Sequence, residues 1–198
     1  MNTRRRLRAL LGSERGFTMI EALASMTILM TVMGGITALM VSGTNSEVEM
    51  NRRFQAQTEA RLGLDKLRRD VHCSWSVATS GTGAVIGGVT YYPTTTLSMS
   101  ASCPSAASGT SVTWCTIANG TDRYGLWRYL GSACSGGTGR KVADYLTTGT
   151  AFSYTAPAAG SKQLKTLGVL LNVKLKPTKP GRVYSLQDDL VLRNSVRA

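Results

Sequence analysis

The spacing of hydrophobic positions along this chain changes twice, and each change marks a boundary. From Ala22 to Ser46 run 25 consecutive uncharged residues, dominated by Leu, Ile, Val, Met and Ala. As a helix this stretch would be about 37 Å long, enough to cross a bilayer. Near Glu47 the uniform apolar character becomes amphipathic. Phe54, Ala60, Leu64, Leu67 and Val71 recur at spacings of 3, 4 or 6, close to one helical stripe. Glu49, Arg52, Arg53, Glu59, Arg61, Lys66, Arg68 and Arg69 fall mostly elsewhere. No proline interrupts Phe17 to His72, so one helix is predicted across that span. The stripe does not sustain heptads, which argues against a coiled-coil stalk. At Gly34-Gly35 both local melting and close packing through Gly34, Gly35 and Ala38 remain open.

Beyond Cys73 the pattern shortens to period two. Composition shifts toward Gly, Ser, Thr and Tyr, with short apolar runs between turn signals. Residues 73–198 suffice for one domain with its own core, read as antiparallel β. Strands are predicted near 84–92, 111–117, 124–130, 150–154, 166–176 and 182–192. Asn119-Gly120 supplies the turn between the second and third. Leu167, Val169, Leu171, Val173 and Leu175 form one face of the fifth strand, and Tyr184, Leu186, Leu190 and Leu192 a facing row. Ser- and Gly-rich stretches at 98–110 and 131–140 read as loops.

Charge sets the orientation of the apolar run. Residues 1–16 hold Arg4, Arg5, Arg6, Arg8 and Arg15 against Glu14, a net +4 that keeps this end cytoplasmic. The apolar run is too long for a secretory signal core, and Ala22-Leu23-Ala24 lies at its start instead of its end. Arg4-Arg5 hints at a twin-arginine signal that Arg6, Leu7 and Arg8 do not extend. A plain signal anchor explains the insertion but neither Gly16-Phe17 nor Glu21. An unpaired carboxylate at bilayer depth costs roughly 2.5 kcal/mol or more, so a partner for Glu21 is expected.

Gly16-Phe17-Thr18-Met19-Ile20-Glu21 resembles the type III signal of type IV prepilins and pseudopilins, whose usual form is G-F-T-L-[IV]-E. The resemblance implies that a membrane-embedded prepilin peptidase cuts between Gly16 and Phe17 and N-methylates Phe17. It also implies that Glu21, fifth in the mature chain, pairs with the terminal amine of a neighbouring subunit during assembly. Met19 in place of Leu is a volume-conserving swap. The implied fold is α+β and pilin-like, a long amino-terminal helix packed on an antiparallel sheet head. Its divisions are a leader over 1–16, a transmembrane and filament-core half-helix over 17–46, an amphipathic half over 47–72, and an extracytoplasmic head over 73–198. The implied partners are the peptidase, other pilins or pseudopilins of the filament, and the cytoplasmic membrane. The head would lie outside the membrane, and then in a periplasmic or extracellular filament.

On that topology Cys73, Cys103, Cys115 and Cys134 lie in an oxidising compartment and suggest two disulfides. Three connectivities are open. The favoured one joins Cys73 to Cys115, stapling the helix end to a strand, and Cys103 to Cys134, tying two loops. Zinc is the rival, but there is no C-x-x-C pair, and the single His72 directly precedes Cys73.

A second resemblance, looser in each part, covers the rest of the chain. Ala60-Arg-Leu-Gly-Leu-Asp-Lys-Leu-Arg-Arg-Asp70, Val112-Thr-Trp-Cys-Thr and Tyr124-Gly-Leu-Trp-Arg128 look like segments of W-type minor pilins and J-type minor pseudopilins. So do Ala143-Asp-Tyr-Leu, Phe152-Ser-Tyr154 and Leu190-Val-Leu-Arg193-Asn194, in the same order. Those proteins often lack four cysteines. Major pilins typically close a carboxyl-terminal loop with a disulfide, whereas the last cysteine here stands 64 residues from the end.

The formal charge of +12 leaves +8 after the leader, all of it in residues 73–198. Lys174, Lys176, Lys179 and Arg182 cluster around one predicted hairpin and form a candidate anion or DNA patch, with edge-strand protection as the alternative. Trp114, Trp127 and the tyrosines sit on predicted strands as core residues. An enzymatic reading finds little. His72 reads as a helix-terminal polar group, Asp188-Asp189 as a turn-like pair near a strand, and no nucleophile elbow or phosphate-binding glycine loop occurs. No catalytic residue, metal or cofactor is expected. The two functions carried forward are a structural minor pilin or pseudopilin and a DNA- or substrate-binding receptor subunit.

Overall fold

The computed structural model describes residues 18–100, 103, 111–135, 139–158, 163–175 and 183–195. The predicted helix is α1, Met19–Cys73, and it continues through Gly34-Gly35. The chain forms two compact units, one ending at Glu49 and the other beginning at Met50.

In the second unit α1 buries Ala56, Ala60, Gly63, Leu64, Leu67, Asp70 and Val71. Phe54 is not part of this stripe and is 68% exposed. It stands two residues before Ala56, about 200° around the helix and so on the far side. A Cβ on Gly63 would sit 3.4 Å from both Leu126 and Val142, so helix and sheet pack closely at this glycine.

The strands are β1 (Ser74–Ser80), β2 (Ala84–Ile86), β3 (Val89–Tyr91), β4 (Thr94–Met99), β5 (Ser111–Ala118), β6 (Tyr124–Leu130), β7 (Arg140–Leu146), β8 (Phe152–Thr155), β9 (Thr166–Val173) and β10 (Tyr184–Val191). Eight of them form an antiparallel sheet in the order β1-β4-β5-β6-β7-β9-β10, with β8 also on β9, while β2 and β3 pair separately. Alternation puts Leu97 and Met99 of β4, Val112 and Trp114 of β5, and Leu126 of β6 in one core with Leu67 and Val71 of α1. Leu167, Val169, Leu171 and Val173 of β9 join the same core. Across from them on β10, Tyr184 pairs with Val173, Leu186 with Leu171 and Leu190 with Leu167.

Several predicted boundaries change. The expected strand at 84–92 is a hairpin, β2–β3, folded at Gly87-Gly88, both with positive φ. β1, β4 and β7 were not predicted, and β4 and β7 overlap the stretches read as loops at 98–110 and 131–140. Asp188-Asp189 lies inside β10 instead of in a turn.

The cysteine pairing also differs. The bridges are Cys73–Cys103 and Cys115–Cys134, with Cα separations of 5.6 and 6.3 Å. Strand parity explains this. Trp114 points to the α1 side, so Cys115 points to the opposite face beside Thr94 and Thr113, its neighbours in the ladder. Cys73 ends α1 and packs against the core on the helix side, where Cys103 is also buried. A Cys73–Cys115 bond would have to pass through the sheet.

Candidate functional site

The described chain begins at the motif's third residue. Gly16 and Phe17 lie outside the described residues. The Thr18 carbonyl accepts the N–H groups of Glu21 and Ala22 at 3.0 and 3.1 Å, which makes Thr18 the cap of α1. Glu21 falls three residues on, in the first turn and exposed, and the Thr18 hydroxyl donates to its Oε2 at 3.5 Å. A carboxylate here also meets the positive end of the helix dipole.

Behind Glu21 the helix presents an unburied apolar surface that includes Ile20, Leu23, Ile28, Leu29, Val32, Met33 and Ile36. By length and composition α1 is able to cross a membrane. Its hydroxyls suit that solvent. Ser25, Thr27, Thr31, Thr37, Thr44 and Ser46 each donate to a carbonyl three or four residues earlier, at 2.8–3.0 Å. Such hydroxyls enter lipid already satisfied.

The second unit holds two buried charge clusters that sequence reading did not find. At the end of α1, Asp70 accepts from Trp114 Nε1 at 3.0 Å, from Arg128 Nε at 2.7 Å and from Arg128 Nη2 at 3.3 Å. Trp114 and Arg128 are cross-strand neighbours on β5 and β6, so one carboxylate locks the helix to two strands. The second cluster centres on Asp144. Arg123 donates through Nε and Nη2 at 3.0 and 2.6 Å, Lys141 Nζ at 2.8 Å and the Tyr145 N–H at 2.8 Å. Burial raises the Asp144 carboxyl, but the bonds from Arg123, Lys141 and Tyr145 outweigh it and hold the group well below the usual carboxylate range. Gly125 alone opposes Asp144 and Tyr145 on β7, a bulge in which Tyr145 takes a positive φ and the Arg123 guanidinium lies 3.8 Å from its ring centre. Beside it Arg52, Gln55, Ala56 and Glu59 of α1 and Lys141, Asp144 and Tyr145 of β7 line a pocket of about 200 Å³.

His72 is a helix-terminal polar group, with Nδ1 3.2 Å from the Val191 carbonyl. Of the candidate anion patch, Lys176, Lys179 and Arg182 lie outside the described residues, and the Lys174 backbone N–H donates to the Tyr145 carbonyl at 2.9 Å. Trp114 is fully buried and Trp127 half-buried, stacked with Tyr129.

Residues 11–37 match the family model described as the prokaryotic N-terminal methylation motif. This amino terminus carries that motif. The match supports the type IV pilin and pseudopilin family and a subunit processed by prepilin peptidase. No curated protein and no solved structure matches the chain. The motif's match ends within the apolar half of α1, and the pilin-like arrangement of the rest stands on the fold described above.

Proposed function

We propose that this chain is a minor pilin or pseudopilin, a structural subunit that prepilin peptidase cuts between Gly16 and Phe17 and methylates on Phe17. The observation that carries the reading is the methylation motif set on a capped helix whose apolar stretch stays unburied among the described residues. Residues 17–46 hold the subunit in the cytoplasmic membrane and then pack against other subunits in a filament core. The head, residues 73–198, lies outside the membrane.

Glu21 gives assembly its register. Alone at bilayer depth its charge is penalised; paired with the terminal amine of a neighbouring subunit it is not. The order of the W- and J-type segments along the chain favours a minor over a major subunit.

Mass spectrometry of the mature protein tests the proposal. It should show a chain starting at methylated Phe17; any other amino terminus would overturn it.

A further inference from the structure

Among the described residues around the buried Asp70, cations outnumber carboxylates. Arg128 on β6 and Arg140 on β7 are direct cross-strand partners, so both project from the helix-side face of the sheet. Like charges placed opposite each other across a ladder repel. Lys66 lies one turn before Asp70 on α1, over the same ground, and Arg69, three residues from Lys66 and with its Nε 3.4 Å from the Asp65 carbonyl, adds its charge beside Lys66. The single carboxylate among them is already occupied, with Arg128 bonded through Nε and Nη2 and Trp114 through Nε1. The next carboxylates along the seam, Asp65 and Asp188, both pair with Arg68. Arg69 and Arg140 are exposed and Lys66 is half-buried.

We propose that Lys66, Arg69 and Arg140, backed by Arg128, form a binding site for a phosphate group on the seam between α1 and the β6–β7 ladder. A phosphate suits it better than a carboxylate does. Separate cations converging from a helix and a strand match an anion that spreads charge over several oxygens, while a carboxylate offers two oxygens and one charge. Lys66 reports the field there: burial first, then Arg128 and Arg140, push its ammonium below the ordinary lysine value against the opposing pull of Asp70. The site lies entirely after Met50 and does not depend on how the amino terminus is processed.

The test is calorimetric titration of inorganic phosphate into the full chain in a neutral detergent at low salt, with thermal melts alongside. The wild type should bind saturably, and its melting midpoint should rise with phosphate. Lys66→Gln with Arg140→Gln should weaken binding about tenfold or more and abolish the phosphate-dependent rise. The same double variant should melt no lower than wild type without phosphate, because it relieves repulsion and leaves the Asp70–Arg128 pair intact. Arg193→Gln, which removes an exposed cation elsewhere, should bind as wild type does. Competition by soluble dihexanoylphosphatidylglycerol supports the site with a lipid headgroup as source; competition by phosphate monoesters alone supports it with a free phosphate. Equal binding by wild type and the double variant, or equal loss on Arg193→Gln, would overturn the site.

Discussion

Arg128 reaches from β6 to Asp70 on α1 with Nε 2.7 Å from Oδ2, and both side chains are nearly sealed from water, at 11% and 2% exposure. The Trp114 indole N–H completes the carboxylate's coordination. An exposed ion pair contributes little, but removing one partner of a buried pair leaves a charge without solvent or counter-ion.

Asp70→Ala should therefore destabilise the second unit by about 3–5 kcal/mol, since it removes the buried carboxylate that Arg128 and the Trp114 N–H both donate to. Asp70→Leu combined with Arg128→Met should cost clearly less than Asp70→Ala alone, because no charge is left behind. Thermal melts of the full chain in detergent measure both. A double variant as damaged as the single one would mean that the pair acts only through packing.

Asp144 makes a pH prediction. Its folded value is depressed, so the stability it contributes is fully present above the unfolded carboxylate value, about 3.9. It is lost as pH falls below that value toward the folded one. The stability difference between wild type and Asp144→Asn should be flat from pH 7 to about pH 5 and shrink progressively below about pH 4. Denaturation midpoints of the two proteins at matched pH check this. A difference that grew on acidification would reverse the sign.

The core of the fold was legible in the sequence where apolar alternation was strong. β9 carries branched apolar residues on every second position, β6 and β10 follow the same alternation except at Arg128 and Asp188, and the register of these strands follows that pattern. β1 and β4 escaped because hydroxyl residues dominate them. Ser-Trp-Ser-Val-Ala-Thr-Ser and Thr-Thr-Thr-Leu-Ser-Met place only Val77, Leu97 and Met99 in the core, with a Thr96–Thr113 hydroxyl contact on the other face. β7 escaped because its charges and its bulge at Tyr145 break the alternation. Asp70 was hidden differently. It stands in a basic run that reads as a solvated face, and its partners are 44 and 58 residues away. At the amino terminus the motif was fully legible because it depends on local residue order instead of distant contacts.

Strand parity yields a prediction about the disulfides. Peptide mapping without reduction should recover Cys73 linked to Cys103 and Cys115 linked to Cys134, on opposite faces of the sheet. The first bridge closes the longer loop, with a sequence separation of 30 against 19. Replacing Cys73 and Cys103 by Ser should cost about 3–4 kcal/mol, and replacing Cys115 and Cys134 slightly less. Recovery of a Cys73–Cys115 peptide would contradict the fold, since the sheet separates those two sulfurs.

Glu21 separates two roles that the helix start combines. As a residue of the first turn it helps the cap and the dipole, worth at most about 1 kcal/mol at an exposed terminus; in the proposed pairing with a neighbouring subunit it would decide assembly. Gly16→Ala should block processing altogether and leave the full-length precursor in the membrane. Glu21→Ala should be cut and methylated normally, insert normally and yet fail to enter filaments. Thr18→Ala provides the contrast. It removes the hydroxyl that donates to Glu21 but keeps the carboxylate and the backbone cap, so it should assemble. Sheared-filament fractions compared with membrane fractions give the readout for all three. Glu21→Ala in filaments at wild-type levels would reduce Glu21 to a helix-capping residue and remove the pairing role.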